Sequence, residues 1–110
     1  MSSSNAPAVE PPAPGADEVF TRDEAAVTRR IAGETVIVPV RNDVADLDSI
    51  YTLNETGSFV WDLIDGQRTV ARLIDAVVAE FEVSPAVAAT DVARLLASLR
   101  EEGLLRLAHG

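Results

Sequence analysis

Apolar positions fall into two regimes along this chain, first strand-like and then helical. Residues 27–40, VTRRIAGETVIVPV, hold two β-branched runs, VTRRI and TVIVPV, separated by Ala32, Gly33 and Glu34. That arrangement predicts a hairpin closed by a short turn containing Gly. Pro39 has no N–H to give to a ladder, so it is expected at an edge or near the strand's end. RNDVAD, residues 41–46, is polar turn chemistry. LDSIYTL, residues 47–53, predicts a third strand. Leu47, Ser49, Tyr51 and Leu53 would face one way, and Asp48, Ile50 and Thr52 the other.

From residue 54 the spacing becomes helical. Thr52 and Glu55 fit a T-x-x-E capping box, with Asn54 the competing N-cap. Phe59, Val60, Leu63 and Ile64 form one apolar face with Trp61 on its flank, and Asp65-Gly66 supplies the stop. In TVARLIDAVVAEF, residues 69–81, Val70, Leu73, Ile74, Val77, Val78 and Phe81 recur at helical spacing behind Thr69 as cap. A third helix starts with Ser84 as N-cap and Pro85 at the first position. It carries Ala88, Val92, Leu95, Leu96 and Leu99 inward and stops at Gly103. LLRLA, residues 104–108, returns as a short strand or trailing segment.

Composition sets the domain plan. Residues 1–26 hold four of the six prolines among Ala, Ser and Glu, with almost no large apolar side chains. Too little surface can be buried there to offset the entropy of ordering, so a disordered arm is expected. Residues 27–108 remain as one small domain with a thin core. The arm lacks the basic start and apolar run of a signal peptide, and no run is long enough to span a bilayer, so a cytoplasmic protein off the membrane is expected. There is no cysteine, which removes disulfide and thiolate chemistry.

Three strands followed by three helices give an α+β fold. The short helices, tight second turn and long third helix have the layout of a winged helix-turn-helix, with a three-stranded antiparallel sheet. DNA binding is therefore an alternative to test on the residues. The net charge is −9, and the nine basic residues, all arginine, are scattered apart from Arg29-Arg30. A duplex-binding face needs clustered cations. The third helix instead exposes Thr90, Asp91, Arg94, Ser98, Arg100, Glu101 and Glu102, a poor reader of base edges. No nucleic acid partner is expected.

The chain shows no catalytic equipment. His109, the single histidine, is one residue from the end, where a base has no fixed geometry. Asp43, Asp46 and Asp48 alternate but miss the Gly and terminal Glu of a calcium loop. Ser49, Ser58 and Ser98 have no visible base, and the six glycines are dispersed rather than gathered into a phosphate loop. No enzyme activity, metal or cofactor is expected.

The segment YTLNETGSFVWDLIDGQRTVARLIDAVVAEFEVSP, followed by DVARLLASLREEGLL, resembles the PqqD family, the small domains also called RiPP recognition elements. The shared pattern is L-N-x-T-G, an apolar helix, D-G-x-x-T-V, a helix ending in an aromatic, then D-V and E-x-G-L-L. It covers residues 27–107 and is densest over 51–105. The resemblance implies a non-catalytic peptide chaperone. It would bind the leader of a ribosomally made precursor peptide and present it to a modifying enzyme, such as a radical-SAM protein. In the family the leader adds as a strand to the third strand and packs beside the third helix, which is β-augmentation. Carried onto this chain, Asp48, Ser49, Ile50, Tyr51 and Thr52 would offer the backbone edge, and Asp91, Arg94, Leu95 and Ser98 the groove wall. Tyr51 and Leu95 also read simply as core. The segment LNETGSFVWDLIDG is closer to stand-alone domains of other peptide clusters than to the member serving coenzyme PQQ synthesis.

Three readings stand side by side: a leader-binding chaperone, a winged-helix transcriptional regulator, and a docking subunit whose groove takes an enzyme. A monomer and a dimer paired through the same edge are both compatible with the sequence.

Overall fold

The computed structural model describes residues 15–108; His109 lies outside them. Strands come first and three helices follow. In chain order they are β1 (Phe20–Arg22), β2 (Val27–Ile31), β3 (Glu34–Val38), β4 (Val40–Arg41), β5 (Val44–Ala45), β6 (Tyr51–Leu53), α1 (Glu55–Leu63), α2 (Val70–Phe81), α3 (Pro85–Glu101) and β7 (Leu105–Leu107). The mixed α+β class follows from this order.

The main sheet is antiparallel with order β2-β3-β6. Ala32 and Gly33, both at positive φ, close β2 to β3 in a two-residue turn. Glu34, expected within that turn, is instead the first residue of β3 and pairs with Ile31. β3 is the central strand, with Thr35 and Ile37 fully buried against the helices. Asn42 and Asp43, also at positive φ, turn β4 back on β5, so RNDVAD forms a small hairpin of its own.

The expected third strand is shorter than its sequence pattern. Residues Leu47–Ser49 form one turn of 3-10 helix capped by Asp46, and only Tyr51–Leu53 pair with β3. Asp46 stops the extended run: its carboxylate accepts from the Asp48 backbone N–H at 3.2 Å and curls the chain locally.

α1 packs its apolar face over the inner side of the sheet, and α2 packs against α1 and α3. Trp61, Leu73, Val77, Val92, Leu96 and Leu99 are almost wholly buried. α1 presents Gly57, Ser58, Val60 and Trp61 inward, whereas Phe59 and Leu63 are half-buried. Trp61 is thus a core residue at 1% exposure, not a flank. Phe59 instead meets Phe81 edge-on at 5.4 Å along the α1–α2 seam.

The expected boundary at residue 26 is also displaced. β1 lies inside the predicted arm and pairs with β7, setting Phe20 against Leu107. Phe20 is 2% exposed, with the Arg100 guanidinium 5.7 Å from its ring. The preceding residues cap α2: the Glu18 and Ala16 carbonyls accept from Val70 and Ala71 N–H at 2.9 and 3.0 Å. Those are two donors that a helix N-terminus cannot satisfy internally. Averaging composition over 1–26 hides this, because the partner of β1 lies at the other end of the chain. The rest of the predicted arm, residues 1–14, falls outside the described residues.

The α1–α2 joint is equally specified. α1 stops at Leu63, and Ile64 caps it in extended geometry before Asp65. The Asp65 carboxylate accepts from Gln67 and Arg68 N–H at 2.9 and 3.0 Å and from the Arg68 guanidinium at 2.8 Å. These bonds, the Arg68 amide first, hold its pKa below the ordinary 3.8. Gly66 takes φ +81 and donates its N–H to the Phe20 carbonyl. Thr69 then caps α2 by accepting from Arg72 N–H.

Two outcomes are expected. Phe20→Ala should lower unfolding free energy by about 3–5 kcal/mol in urea titration; a disordered arm would show no change. Asp65 contributes stability that is complete above its ordinary value of 3.8 and is lost as pH falls through its lowered folded value. Asp65→Asn should therefore flatten the acid limb of a stability-against-pH curve.

Candidate functional site

The strand β6 passes into α1 with only Asn54 between them. Asn54 is the N-cap, its side-chain oxygen accepting from Gly57 N–H at 2.8 Å, so the cap is Asn54 rather than a box built from Thr52 and Glu55. Gly57 sits where a Cβ would lie 3.2 Å from Leu53 Cβ and Cδ2 and 3.3 Å from Asn54 Oδ1. Only hydrogen fits there without displacing Leu53, which is itself buried at the end of β6. The N-x-T-G spacing is thus a joint in which cap and close approach are solved together.

That joint holds β6 beside α3. The Tyr51 hydroxyl and Ser98 Oγ lie 2.6 Å apart in a part-buried hydrogen bond spanning strand and helix. Next to it, a pocket of about 250 Å³ opens between the start of α1 and the middle of α3. Asn54, Thr56, Gly57 and Val60 line one side, and Asp91, Val92, Arg94 and Leu95 the other.

β6 is an edge of the sheet, paired among the described residues only with β3. The two-residue turn makes Ile31 and Glu34 a hydrogen-bonded pair, and the pairing alternates from there across the sheet. With Thr35 opposite Leu53 and Ile37 opposite Tyr51, Leu53 and Tyr51 turn their backbone groups toward β3. Thr52 turns its N–H and C=O outward.

The residues predicted for the site divide accordingly. Tyr51 and Ser98 meet directly. Asp91, Arg94 and Leu95 gather at the pocket, the first two exposed and Leu95 half-buried. Thr52 and Ile50 are exposed along the edge, Ile50 at 46%. Asp48 and Ser49 lie off the ladder in the 3-10 turn. There the Ser49 side chain, with Arg41, holds the Asp46 carboxyl below its ordinary value. Tyr51 and Leu95 are both half-buried and pack against the core while bordering the open side, so the core and groove readings of these two residues describe one position. The pocket's other wall, Thr56 with Gly57, was legible in sequence only as helix-start chemistry.

Among the described residues there is no group of three or more His, Asp or Glu placed to hold a metal ion. No helix among them is long and apolar enough to cross a membrane.

Fold and site together define a small α+β domain whose mark is an open sheet edge alongside a helix-lined pocket. The family described as coenzyme PQQ synthesis protein D (PqqD) matches residues 34–105, and the chain belongs to that family. Two solved structures share the fold. One, TbiB1 in complex with the TbiA(β) leader peptide, aligns at TM-score 0.65 and 23% identity over 78% of this chain and 94% of that one. The other is the solution NMR structure of the PqqD truncation of Methylobacterium extorquens PqqCD, described as a functional and stand-alone RiPP recognition element. It aligns at TM-score 0.68 and 20% identity over 89% of this chain and 99% of that one. No curated protein gives a significant match.

Gly57→Ala tests the joint. Alanine gains about 1 kcal/mol of intrinsic helix propensity over glycine, yet here its methyl must displace Leu53. The variant is expected to unfold at lower urea concentration than the parent, with smaller amide shifts outside residues 51–60 than within them.

Proposed function

We propose that this chain is a non-catalytic peptide chaperone. It captures the leader of a ribosomally synthesised precursor peptide as an added strand on β6 and presents it to a modifying enzyme, such as a radical-SAM protein. The observation that carries this reading is the free edge of β6 beside the Asn54–Leu95 pocket. Outward backbone groups at Thr52 would bond the leader's main chain, which gives affinity without regard to sequence. The pocket and the Asp91–Arg94 pair would then select its side chains. Family membership and a fold neighbour solved with a leader peptide support the same direction.

Within this proposal the helices stand in a winged helix-turn-helix arrangement, with the third helix serving as groove wall rather than as a reader of DNA. Its exposed face mixes Asp91, Glu101 and Glu102 with Arg94 and Arg100, so a polyanion finds no continuous cationic surface. Asp48 and Ser49 retain a role as the turn that ends the leader's path, not as ladder partners. The working form is a cytoplasmic monomer, since an edge-paired dimer would occupy β6 and compete with the leader.

Amide shift titration of the labelled full chain with synthetic leader peptides, beside a duplex DNA control, tests this. Saturating shifts at residues 50–57 and 91–98 are expected, with DNA silent. Thr52→Pro removes an outward N–H and should weaken leader binding by about tenfold. Shifts along α3 with DNA and none with any leader would overturn the proposal.

A further inference from the structure

The sheet has a second open edge, and it differs in kind from the first. β2 pairs only with β3 among the described residues, and all five of its side chains are exposed, Val27 at 42% and Ile31 at 61%. The alternation that turns Thr52 outward on one side turns the backbone groups of Thr28 and Arg30 outward on the other. A native sheet covers, charges or uses such an edge.

Charge is present here, and it is positive on an acidic protein. Arg29 and Arg30 are the sole adjacent basic pair in a chain of net charge −9. Arg30 reaches inward to Thr35 and Asp62. Arg29, on the outer face, pairs with no carboxylate among the described residues.

Below the same edge lies the larger pocket, about 510 Å³, where β1 and β2 diverge from the turn at residues 23–26. Arg22, Ala26, Thr28, Trp61 and Asp65 are among the residues around it. Trp61 Nε1 is buried and has no hydrogen-bond acceptor, while the Arg22 guanidinium stands 5.5 Å from the ring centroid. The indole N–H is sealed from solvent, so a segment in this slot would meet the rim around the ring rather than the donor itself. Asp23, Glu24 and Asp65 on the same rim disfavour a carboxylate in that position. Uncharged polar side chains fit that rim instead.

We infer that the β2 edge docks an extended segment of a partner protein, a different surface from the one that receives the leader. The segment carries carboxylates on its outer face, opposite Arg29, and uncharged polar side chains on its inner face, toward Trp61. A second copy of this chain is disfavoured, because antiparallel self-pairing over the whole of β2 sets Arg29 against Arg29. That the partner is the modifying enzyme rests on the function proposed above; the docking edge itself does not. With leader and enzyme on opposite edges of one three-stranded sheet, both could be held at once.

The test uses the labelled full chain and a short acetylated peptide of alternating glutamate and threonine, with alternating lysine and threonine as control. The acidic peptide should give saturable shifts at Val27–Ile31 and at the Trp61 indole N–H, leave Tyr51–Leu53 unmoved, and lose affinity as salt rises. Thr28→Pro, which deletes an outward N–H, should weaken it about tenfold. Arg29→Glu, a second variant that leaves the backbone intact, should weaken it roughly fivefold. Shifts confined to β6, equal binding of the lysine peptide, or no saturable shift would each overturn the inference. So would concentration-dependent shifts at Val27–Ile31 without peptide, which would identify a second copy as the occupant. Leader titration at β6 is read on different residues, so the failure of one proposal is distinguishable from failure of the other.

Discussion

The absence of a loop between β6 and α1 is the constraint from which the rest of the site follows. With Asn54 alone between strand and helix, the sheet's edge cannot drift relative to the helical layer. Asn54 fixes the helix start by its side chain, and Gly57 allows that start to press onto Leu53. Leu53 then anchors the end of β6 in the core, and two residues earlier Tyr51 reaches Ser98 on α3. Each contact depends on the one before it. A longer connection would add conformations to the edge and let its distance from α3 vary, and ordering that freedom on binding would cost affinity.

The N-terminal segment supplies a second constraint at the opposite end of the helical layer. Glu18 and Ala16 satisfy the first amides of α2, Phe20 fills the space under Arg100, and β1 closes on β7. For a domain with so thin a core, these residues are part of the fold rather than an appendage. They also create the diverging slot beside β2, since β1 leaves toward β7 while β2 joins β3.

Most of the architecture was readable because the signals were local. The helix α2 has its cap and its apolar period in one short stretch, and the β2–β3 hairpin has β-branched runs about a turn containing Gly. Three features were not readable, for related reasons. Phe20 is a lone aromatic in a Pro/Ala-rich stretch, and its partners are distant in sequence. The run LDSIYTL alternates well enough for a strand, but Asp46 offers the backbone a competing local bond. Periodicity identified the apolar stripe of α1 without fixing its centre, because Phe59, Val60, Trp61, Leu63 and Ile64 wrap more than half of a short helix. In the fold Trp61 lies deepest, while Phe59 sits half-buried against Phe81 of α2. The family pattern singled out Tyr51, Asp91, Arg94, Leu95 and Ser98, which the structure brings near one another, whereas the pocket wall of Thr56 and Gly57 needed three dimensions.

A three-stranded sheet covered by helices on one face has two edges, and this chain treats them differently. β6 is short, lies beside a pocket, and is tied to α3 by a neutral hydroxyl pair. β2 is longer, exposed throughout, and marked by arginines on an otherwise acidic protein. Two identical edges would invite the chain to polymerise strand to strand. Here the edges are unlike: they differ in length and in the charge beside them. Under the proposed function the same asymmetry would give the module direction: a strand added at β6 and one added at β2 would be held apart by the width of β3 and oriented by one sheet. Main-chain pairing is indifferent to sequence, so on the proposed function discrimination at each edge would fall to the side chains flanking it, Arg94 and Asp91 at one, Arg29 and the Trp61 slot at the other.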